Sequence, residues 1–368
     1  MKKIKVIHFI PGLTMGGAET LVKDYALGFD KSKFDVTVLC SIKNGTPYES
    51  LLEENNIRCI YLNDYSKGKP TFVDKIFIHF VRYFKVRKFL RKEKPDILHV
   101  HLGLCKLVKF SRVLCTVFYT VHNTPNFVWS GVPSEEKAVR WLIKNRKMRL
   151  ITLHEQMKIE VDNRFNVNNS LVLNNGIDFK RFDVFVNKSE LKKRLGIPEK
   201  AFIIGNIGRF RKEKNHEFLV DIFSEISMKN SESFLLMIGD GGLKNQISQK
   251  LDSLGLKGKY LILSNRTDVP ELMKIMDVFV FPSLFEGLGI VLIEAQKSGI
   301  KCIASKNVPA AAKVSNLLDF KSLSDSTTSW VEKILSFDIP KTEYFGIEKW
   351  DMKNVVKKLE SFYEDALK

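Results

Sequence analysis

Glu286 and Glu294 stand eight residues apart around Gly287-Leu288-Gly289, within the run FPSLFEGLGIVLIEAQKSG that spans residues 281–299. Ionised carboxylates only accept hydrogen bonds, so this pair suits ligand hydroxyls, each charged bond contributing ~1.5–3 kcal/mol. The two glycines let backbone N–H groups approach a ligand without side-chain obstruction. The helix expected behind them adds unpaired donors and a partial positive charge, which suits a phosphate or a dense cluster of hydroxyls. Eight steps of about 100° leave the two glutamates roughly 80° out of phase on a helix. One is therefore expected at the loop tip and the other within the helix, spread along an extended ligand. Without that spacing, the same residues describe a helix start with a solvated acid.

A second group offers cations. Gly205-Asn206-Ile207-Gly208-Arg209 closes an apolar strand, and Lys214 follows five residues after Arg209. Arg binds a diphosphate through a planar fork and Lys as a mobile point charge, and glycines permit close approach. Arg211 and Lys212 also fit a plain basic loop. Near the start, Gly16-Gly17-Ala18-Glu19 turns from a strand into a helix without full G-x-G-x-x-G spacing, so a dinucleotide fingerprint is not supported. His99-Val100-His101 and His122-Asn123 each end a strand, where a histidine is more often structural than catalytic. No D-x-D, H-E-x-x-H or H-x-x-E-H motif occurs.

The elements that position these groups alternate. Strand-like runs appear at Lys5–Phe9, Asp35–Cys40, Ile57–Leu62, Ile97–Val100, Val117–Val121 and Leu150–Thr152, with helical stretches between them, and Leu171–Asn174 then runs into a turn. Asn175-Gly176-Ile177-Asp178 is a turn cluster suited to a hinge. A second series follows at Phe202–Asn206, Phe234–Ile238, Tyr260–Ile262, Val278–Phe281 and Lys301–Ala304. This is an α/β pattern of doubly wound parallel sheets occurring twice, whose ligands sit at the carboxyl ends of strands. The expected division is 1–175, 176–348, and a closing amphipathic helix over 349–368 that returns to the first domain, with the ligand in a cleft between the two sheets. Asn123–Glu136 reads as a loop.

Composition bounds the class. The 368 residues suffice for two domains, and the five cysteines are scattered without a C-x-x-C pair, which fits a reducing compartment. The short apolar run near the start, broken by His8 and Pro11, reads as a first strand rather than a signal peptide. No uncharged stretch approaches the ~20 apolar residues of a membrane span. The formal charge of +17 is uneven, residues 1–178 holding 29 Lys+Arg against 17 Asp+Glu. It peaks at Lys75–Lys94, where Ile76, Phe77, Phe80, Phe84, Val86 and Leu90 alternate with basic residues at near-helical spacing. That segment fits an ordinary surface helix or one lying on anionic lipid; no nucleic-acid motif accompanies it.

The E-x7-E spacing around G-x-G resembles the donor-site signature of retaining glycosyltransferases of family 4, which have the GT-B fold. Gly208, Arg209, Lys214 and Asn215 match that family's G-R-x-x-x-x-K-[GN] pattern residue for residue. The motifs fall in family order over nearly the whole chain, most like bacterial capsular and exopolysaccharide enzymes. The resemblance implies transfer of a hexose from a nucleoside-diphosphate sugar, with UDP expected, to a hydroxyl with retention of configuration. It assigns Arg209 and Lys214 to the diphosphate, Glu294 to the ribose, Glu286 and Gly287, Leu288 and Gly289 to the sugar hydroxyls, and His122 to the side of the reacting carbon. Gly16 and Gly17 fall to the donor phosphates, Gly208 and Gly239 to the donor site, and Arg266 and Thr267 to the base. His99 and His101 become acceptor-side candidates, as does Trp129, whose ring could stack on a sugar. Transferases of the other major architecture chelate a divalent ion with D-x-D; its absence implies no metal requirement and no cofactor. Two departures stand out: His154-Glu155 replaces a serine common in relatives, and Ala310, Ala311 and Ala312 replace acidic residues. The implied acceptor is a polyprenyl-diphosphate-linked glycan or an oligosaccharide, met by a cytoplasmic protein peripheral on the inner face of the plasma membrane. A sugar-nucleotide epimerase or hydrolase of the same fold, or a catalytically silent partner in polysaccharide assembly, are the alternatives.

Overall fold

Apolar residues fill both faces of nearly every strand, which a parallel sheet covered by helices on each side requires. A computed structural model describes residues 2–14, 16–63, 72–336 and 341–368, with residues 72–80 described in backbone only. Met15 and the side chains of Lys75–Phe80 in the basic segment lie outside the described residues. The chain divides into two units, Met1–Gly176 with Lys349–Lys368, and Ile177–Glu348.

The first unit holds seven parallel strands: β1 (Ile4–Ile10), β2 (Phe34–Ile42), β3 (Arg58–Asn63), β4 (Ile97–His101), β5 (Thr116–Thr120), β6 (Arg149–Thr152) and β7 (Leu171–Val172). They are ordered β3-β2-β1-β4-β5-β6-β7, so the winding direction reverses between β1 and β4. Alternation sorts side chains between the faces. Ile7, Phe9, Leu98, Val100, Val117 and Tyr119 pack on one side with Leu104, Val108 and Trp129. Val6, Ile10, Ile97 and Phe118 pack on the other with Tyr25, Phe29, Val355, Leu359 and Tyr363. The last three enter on helix Met352–Leu367, whose second residue, Lys353, donates its N–H to the capping Asp351 carboxylate at 2.8 Å. That helix packs on helix Gly17–Gly28, and Gly176 must stay small because a Cβ there would lie 2.6 Å from Met352 Sδ.

The second unit holds six parallel strands: β8 (Phe202–Ile207), β9 (Ser233–Ile238), β10 (Tyr260–Leu263), β11 (Val278–Phe281), β12 (Lys301–Ser305) and β13 (Leu318–Lys321). Their order is β10-β9-β8-β11-β12-β13, reversing between β8 and β11. The segment 123–136 is corrected from loop to helix: Pro125–Trp129 and Pro133–Arg146 both start on a proline, whose fixed φ and missing N–H suit the first helical turn.

Candidate functional site

In open α/β sheets ligands lie outside the carboxyl ends of strands where the order reverses. In the second unit those ends belong to β8 and β11. Buried Asn206, next to last in β8, donates its side-chain N–H to Val280 O at 2.8 Å and ties the two strands together. The loop after β8 carries Arg209, which is exposed, and a 3-10 turn Lys212–Lys214. The loop after β11 carries Glu286 and ends at Gly289, in the left-handed region at φ +82, where helix Ile290–Lys297 begins. Leu284 N donates to Glu213 O at 2.8 Å, so the two loops are joined by backbone as well.

Across this junction Lys214 Nζ meets Glu286 Oε1 at 2.5 Å, with both side chains mostly buried. The ammonium also lies 4.8 Å from the centre of the Phe281 ring, a cation–π contact. Lys214 reaches this position because Gly208 leaves its stem room: a Cβ on Gly208 would stand 3.3 Å from Lys214 Cδ. Gly239 has a similar steric role, since a Cβ there would fall 2.0 Å from Gly208 O. Phe210 N donates to Asp240 O at 2.9 Å, so Gly239-Asp240-Gly241 is a platform beneath the Arg209 loop. Gly287, Leu288 and Gly289 are buried in the turn, and Glu294 lies partly exposed in the second turn of its helix. Arg266 is held by Asp268, Nε to Oδ1 at 2.7 Å, and this hydrogen bond keeps the Asp268 carboxyl below its ordinary range. Thr267 beside it is exposed.

Two residues here escaped the sequence. Gln296, fully buried, donates to Leu292 O and Ala312 O and accepts from Val314 N and Ser315 Oγ, fixing the Ala310–Ser315 segment on helix Ile290–Lys297. His216 stacks on Phe210 at 4.4 Å. Burial first, and then Lys214, push its imidazole down to about 4. Neither carries a motif, although an amide closing the largely apolar run IVLIEAQ is a visible oddity.

In the first unit the strand order reverses between β1 and β4. The glycine turn after β1 is shaped from below: a Cβ on Gly12 would fall 2.3 Å from Asn44 Nδ2, and Thr46 Oγ1 donates to Leu13 O at 2.5 Å. Gly16 precedes helix Gly17–Gly28 with an extended backbone, and its carbonyl accepts from Thr20 N and Oγ1. A Cβ on Gly17 would meet nothing within 4 Å, so its backbone fronts open space.

The histidines belong to one network. His8 pairs in register with His99 across β1 and β4, and His101 with Thr120 across β4 and β5. By alternation all share the face covered by helix Met352–Leu367, as does His122 two residues beyond Thr120. His8 Nδ1 lies 3.1 Å from His101 Nε2, and His101 Nδ1 lies 2.9 Å from His122 Nε2. His99 Nδ1 meets Tyr363 Oη at 2.5 Å and its Nε2 meets Thr120 Oγ1 at 2.7 Å. Burial lowers the imidazoles of His8 to about 3 and His122 to about 4, and holds His99 and His101 well below the ordinary value. All four are neutral at physiological pH. One nitrogen each from His8, His99 and His101 falls within 4.8 Å of the others, close enough in principle for a metal ion. Both nitrogens of His99 and both of His101 are already spent on hydrogen bonds, so the trio reads as a network.

Three acceptor-side expectations are corrected. His99 and His101 are fully buried with both ring nitrogens engaged. Trp129 is 2 % exposed, set edge-on to Phe165 at 4.8 Å with the Arg164 guanidinium over its ring. Helix Pro125–Trp129 turns that indole into the core, where it cannot stack on a sugar. His122, by contrast, is partly exposed. Of the residues that departed from the family pattern, His154 caps helix Glu155–Phe165 by accepting from Met157 N at 3.2 Å.

Residues 15–181 match the family described as Glycosyltransferase Family 4, and residues 187–337 match Glycosyl transferases group 1. The chain is 28% identical over 318 residues to an Escherichia coli UDP-Gal:alpha-D-GlcNAc-diphosphoundecaprenol alpha-1,3-galactosyltransferase, covering 82% of this chain and 79% of that one. Its fold superposes on a glycosyltransferase crystal structure from Rickettsia africae with a TM-score of 0.78, 18% identity and full coverage of both chains. Anabaena HepE, crystallised with UDP-glucose, superposes with a TM-score of 0.72 at 16% identity over 99% of this chain and 96% of that one.

Proposed function

Because this chain belongs to glycosyltransferase family 4 and has the GT-B pair of sheets, we propose that it moves a hexose from a nucleoside-diphosphate sugar, UDP being the expected nucleotide, to a lipid-linked or oligosaccharide hydroxyl. The proposed transfer retains configuration and uses no metal ion. The observation that carries this reading is the Lys214–Glu286 junction at the strand-order reversal of the second sheet, with Arg209 exposed beside it. A cation and a carboxylate meeting at a glycine-lined strand end are the complementary halves of a site for diphosphate and hydroxyls. In the reaction the bond from the anomeric carbon to the leaving phosphate oxygen breaks as the acceptor oxygen bonds to that carbon, and the acceptor's proton passes to the departing diphosphate. Arg209 and Lys214 stabilise the charge that develops on the diphosphate, a preorganised electrostatic contribution. Donor entry gives Lys214 a phosphate partner and turns Glu286 toward the sugar hydroxyls. Glu294 takes the ribose, the Arg266–Thr267 segment the base, Gly16 and Gly17 the phosphates, and His122 stands at the reacting carbon.

A lipid-linked acceptor is supported by the diphosphoundecaprenol substrate in the Escherichia coli relative's name. It is also supported by one exposed face of the first unit. Phe84 and Val81 on helix Phe72–Glu93 are exposed, as are Phe110 and Leu114 at and beyond helix Cys105–Ser111, and Tyr83 meets Phe110 edge-on at 5.2 Å. Lys88, Arg91 and Lys92 are exposed on the same helix as Phe84, and Arg112 is exposed between Phe110 and Leu114. Cations around exposed aromatics suit an anionic leaflet, each basic residue contributing about 1 kcal/mol. Lys85 belongs elsewhere, since its ammonium is held by Leu62 O and Asn63 Oδ1. Among the described residues no helix is long and apolar enough to cross a membrane. We place the enzyme at the cytoplasmic face, in assembly of a capsular or related polysaccharide.

The test is a panel of nucleoside-diphosphate hexoses with membrane lipid extract, with and without EDTA, followed by NMR of the new anomeric linkage. One sugar should transfer with retained configuration at equal rates in both conditions. Conversion of the nucleotide sugar without acceptor would favour the epimerase or hydrolase reading, and chelator-abolished turnover restored by Mn²⁺ would remove metal independence.

A further inference from the structure

The chain His8–His101–His122 has a property that follows from proton counting. Three neutral imidazoles carry three ring protons. The two ring-to-ring contacts, 3.1 Å and 2.9 Å, each need one proton between the nitrogens. One proton is left, and it sits at one of the two chain ends, His8 Nε2 or His122 Nδ1. The tautomers of the three rings are therefore locked together, all Nδ1–H or all Nε2–H.

The ends differ. His8 Nε2 is buried without a hydrogen-bond partner, walled by the rings of Tyr25, Phe29 and Tyr363. An N–H there would be an orphaned buried donor, the rarer and costlier kind of unsatisfied group, whereas a bare nitrogen leaves only an unfilled acceptor. His122 lies two residues beyond the end of β5 and is partly exposed, and its Nδ1 has no partner among the described residues. A proton placed there can be satisfied by water or ligand.

We propose that His8 and His101 are positioning residues that hold His122 as its Nδ1–H tautomer, so that it presents a hydrogen-bond donor toward the donor sugar. His8 Nδ1–H donates to His101 Nε2, His101 Nδ1–H donates to His122 Nε2, and His122 Nδ1–H points outward. A buried residue two rings from the ligand thereby selects which sugar atom His122 can engage: an oxygen with a lone pair to offer. This rests on the reading that His122 stands beside the donor sugar. The His99–Tyr363–Thr120 branch is separate and fixes the neighbouring ring through its own two hydrogen bonds.

The experiment uses the full chain with ¹⁵N-labelled histidine, and His122 assigned by its loss in His122→Gln. Without any substrate, long-range ¹H–¹⁵N spectra at pH 7.5 should show His122 as the Nδ1–H tautomer alone. His8→Asn, which can return an N–H to the Nδ1 position, should keep that pattern and a kcat within about threefold of wild type. His8→Leu should give mixed tautomers at His122 and lower kcat about tenfold with little change in KM for the nucleotide sugar, as expected when an interaction of the transition state is lost. A His122 signature of Nε2–H, or one indifferent to His8→Leu in folded protein, overturns the proposal. If the His8 variants fail to fold, the wild-type spectrum decides by itself. Because the spectrum needs no turnover, a wrong assignment of transferase chemistry would leave the tautomer result standing and show itself only in the kinetics.

Discussion

Acidification should loosen the first unit well before carboxylates titrate. His8, His99 and His101 are fully buried and His122 is partly so, and burial lowers each of the four imidazoles far below its ordinary 6.5. The unfolded chain binds a proton at each of these sites as pH falls through 6.5, while the folded chain does not. Stability is therefore complete above that value and erodes below it. Integrated from pH 7.5 to 5.5, one such group loses ~1.4 kcal/mol, and four lose ~5.5 kcal/mol. That is a large part of the about 5–15 kcal/mol that holds an ordinary domain. Glu93 and Glu136, lowered by Arg58 and Arg164, titrate below this window. Glu135, raised by burial, takes up a proton in the folded state as pH falls and trims the loss. The second unit offers an internal comparison, since among its described residues His216 is the one buried histidine, worth ~1.4 kcal/mol by the same reckoning. Hydrogen exchange under mild urea at pH 7.5, 6.5 and 5.5, corrected for intrinsic rates, would compare peptides of β1, β4 and β5 with those of β8 and β9. Protection of the first set should fall by about four protons' worth across the window, less what Glu135 returns, and His8→Leu should remove about one. Equal loss in the two units, or less than one proton in the first, would refute the reasoning.

The diphosphate assignment predicts that Arg209→Ala or Lys214→Ala lowers kcat/KM by roughly 30- to 1000-fold, the effect of losing one contact of ~2–4 kcal/mol to a developing oxyanion; activity within about threefold of wild type in both would remove them from the site. Trp129→Ala should cost about 3–5 kcal/mol of stability, as for a buried indole, with acceptor KM unchanged in the protein that remains folded; a raised acceptor KM at unchanged stability would return the ring to the site. Salt-sensitive binding is expected to vesicles containing anionic lipid and little to neutral ones, weakened by Lys88→Gln, Arg91→Gln and Lys92→Gln or by Phe84→Ser and Phe110→Ser; equal partitioning to both vesicle types would leave the face an ordinary surface.

What the sequence could say followed from how local each feature is. Strands β1 to β6 and β8 to β12 were legible because a buried parallel strand is a short apolar run wherever it lies. Strand β13, LDFK, escaped because it mixes charges into four residues at a sheet edge. Helices Pro125–Trp129 and Pro133–Arg146 escaped because proline and Gly131 signal a turn as readily as a helix start. The same error misplaced Trp129, since a ring assigned to a loop is assigned to solvent. In the second unit, Arg209, Lys214, Glu286 and the glycines could be found because each loop is one continuous motif. Their meeting could not, because Lys214 and Glu286 are 72 residues apart. The histidines show the limit most sharply. Read singly, His99 and His101 were strand-end residues with a small chance of chemistry, and His8 was merely the residue that interrupts an apolar run. Sheet order sets β1 beside β4 and β4 beside β5, alternation turns the side chains to one face, and helix Met352–Leu367 brings Tyr363 from 264 positions away to close over His99. A sequence offers the alternation in H-V-H and in T-V-H, but strand order joins them. Proton counting then makes buried His8 matter to partly exposed His122, a dependence carried by nitrogen-to-nitrogen distances rather than by residue type.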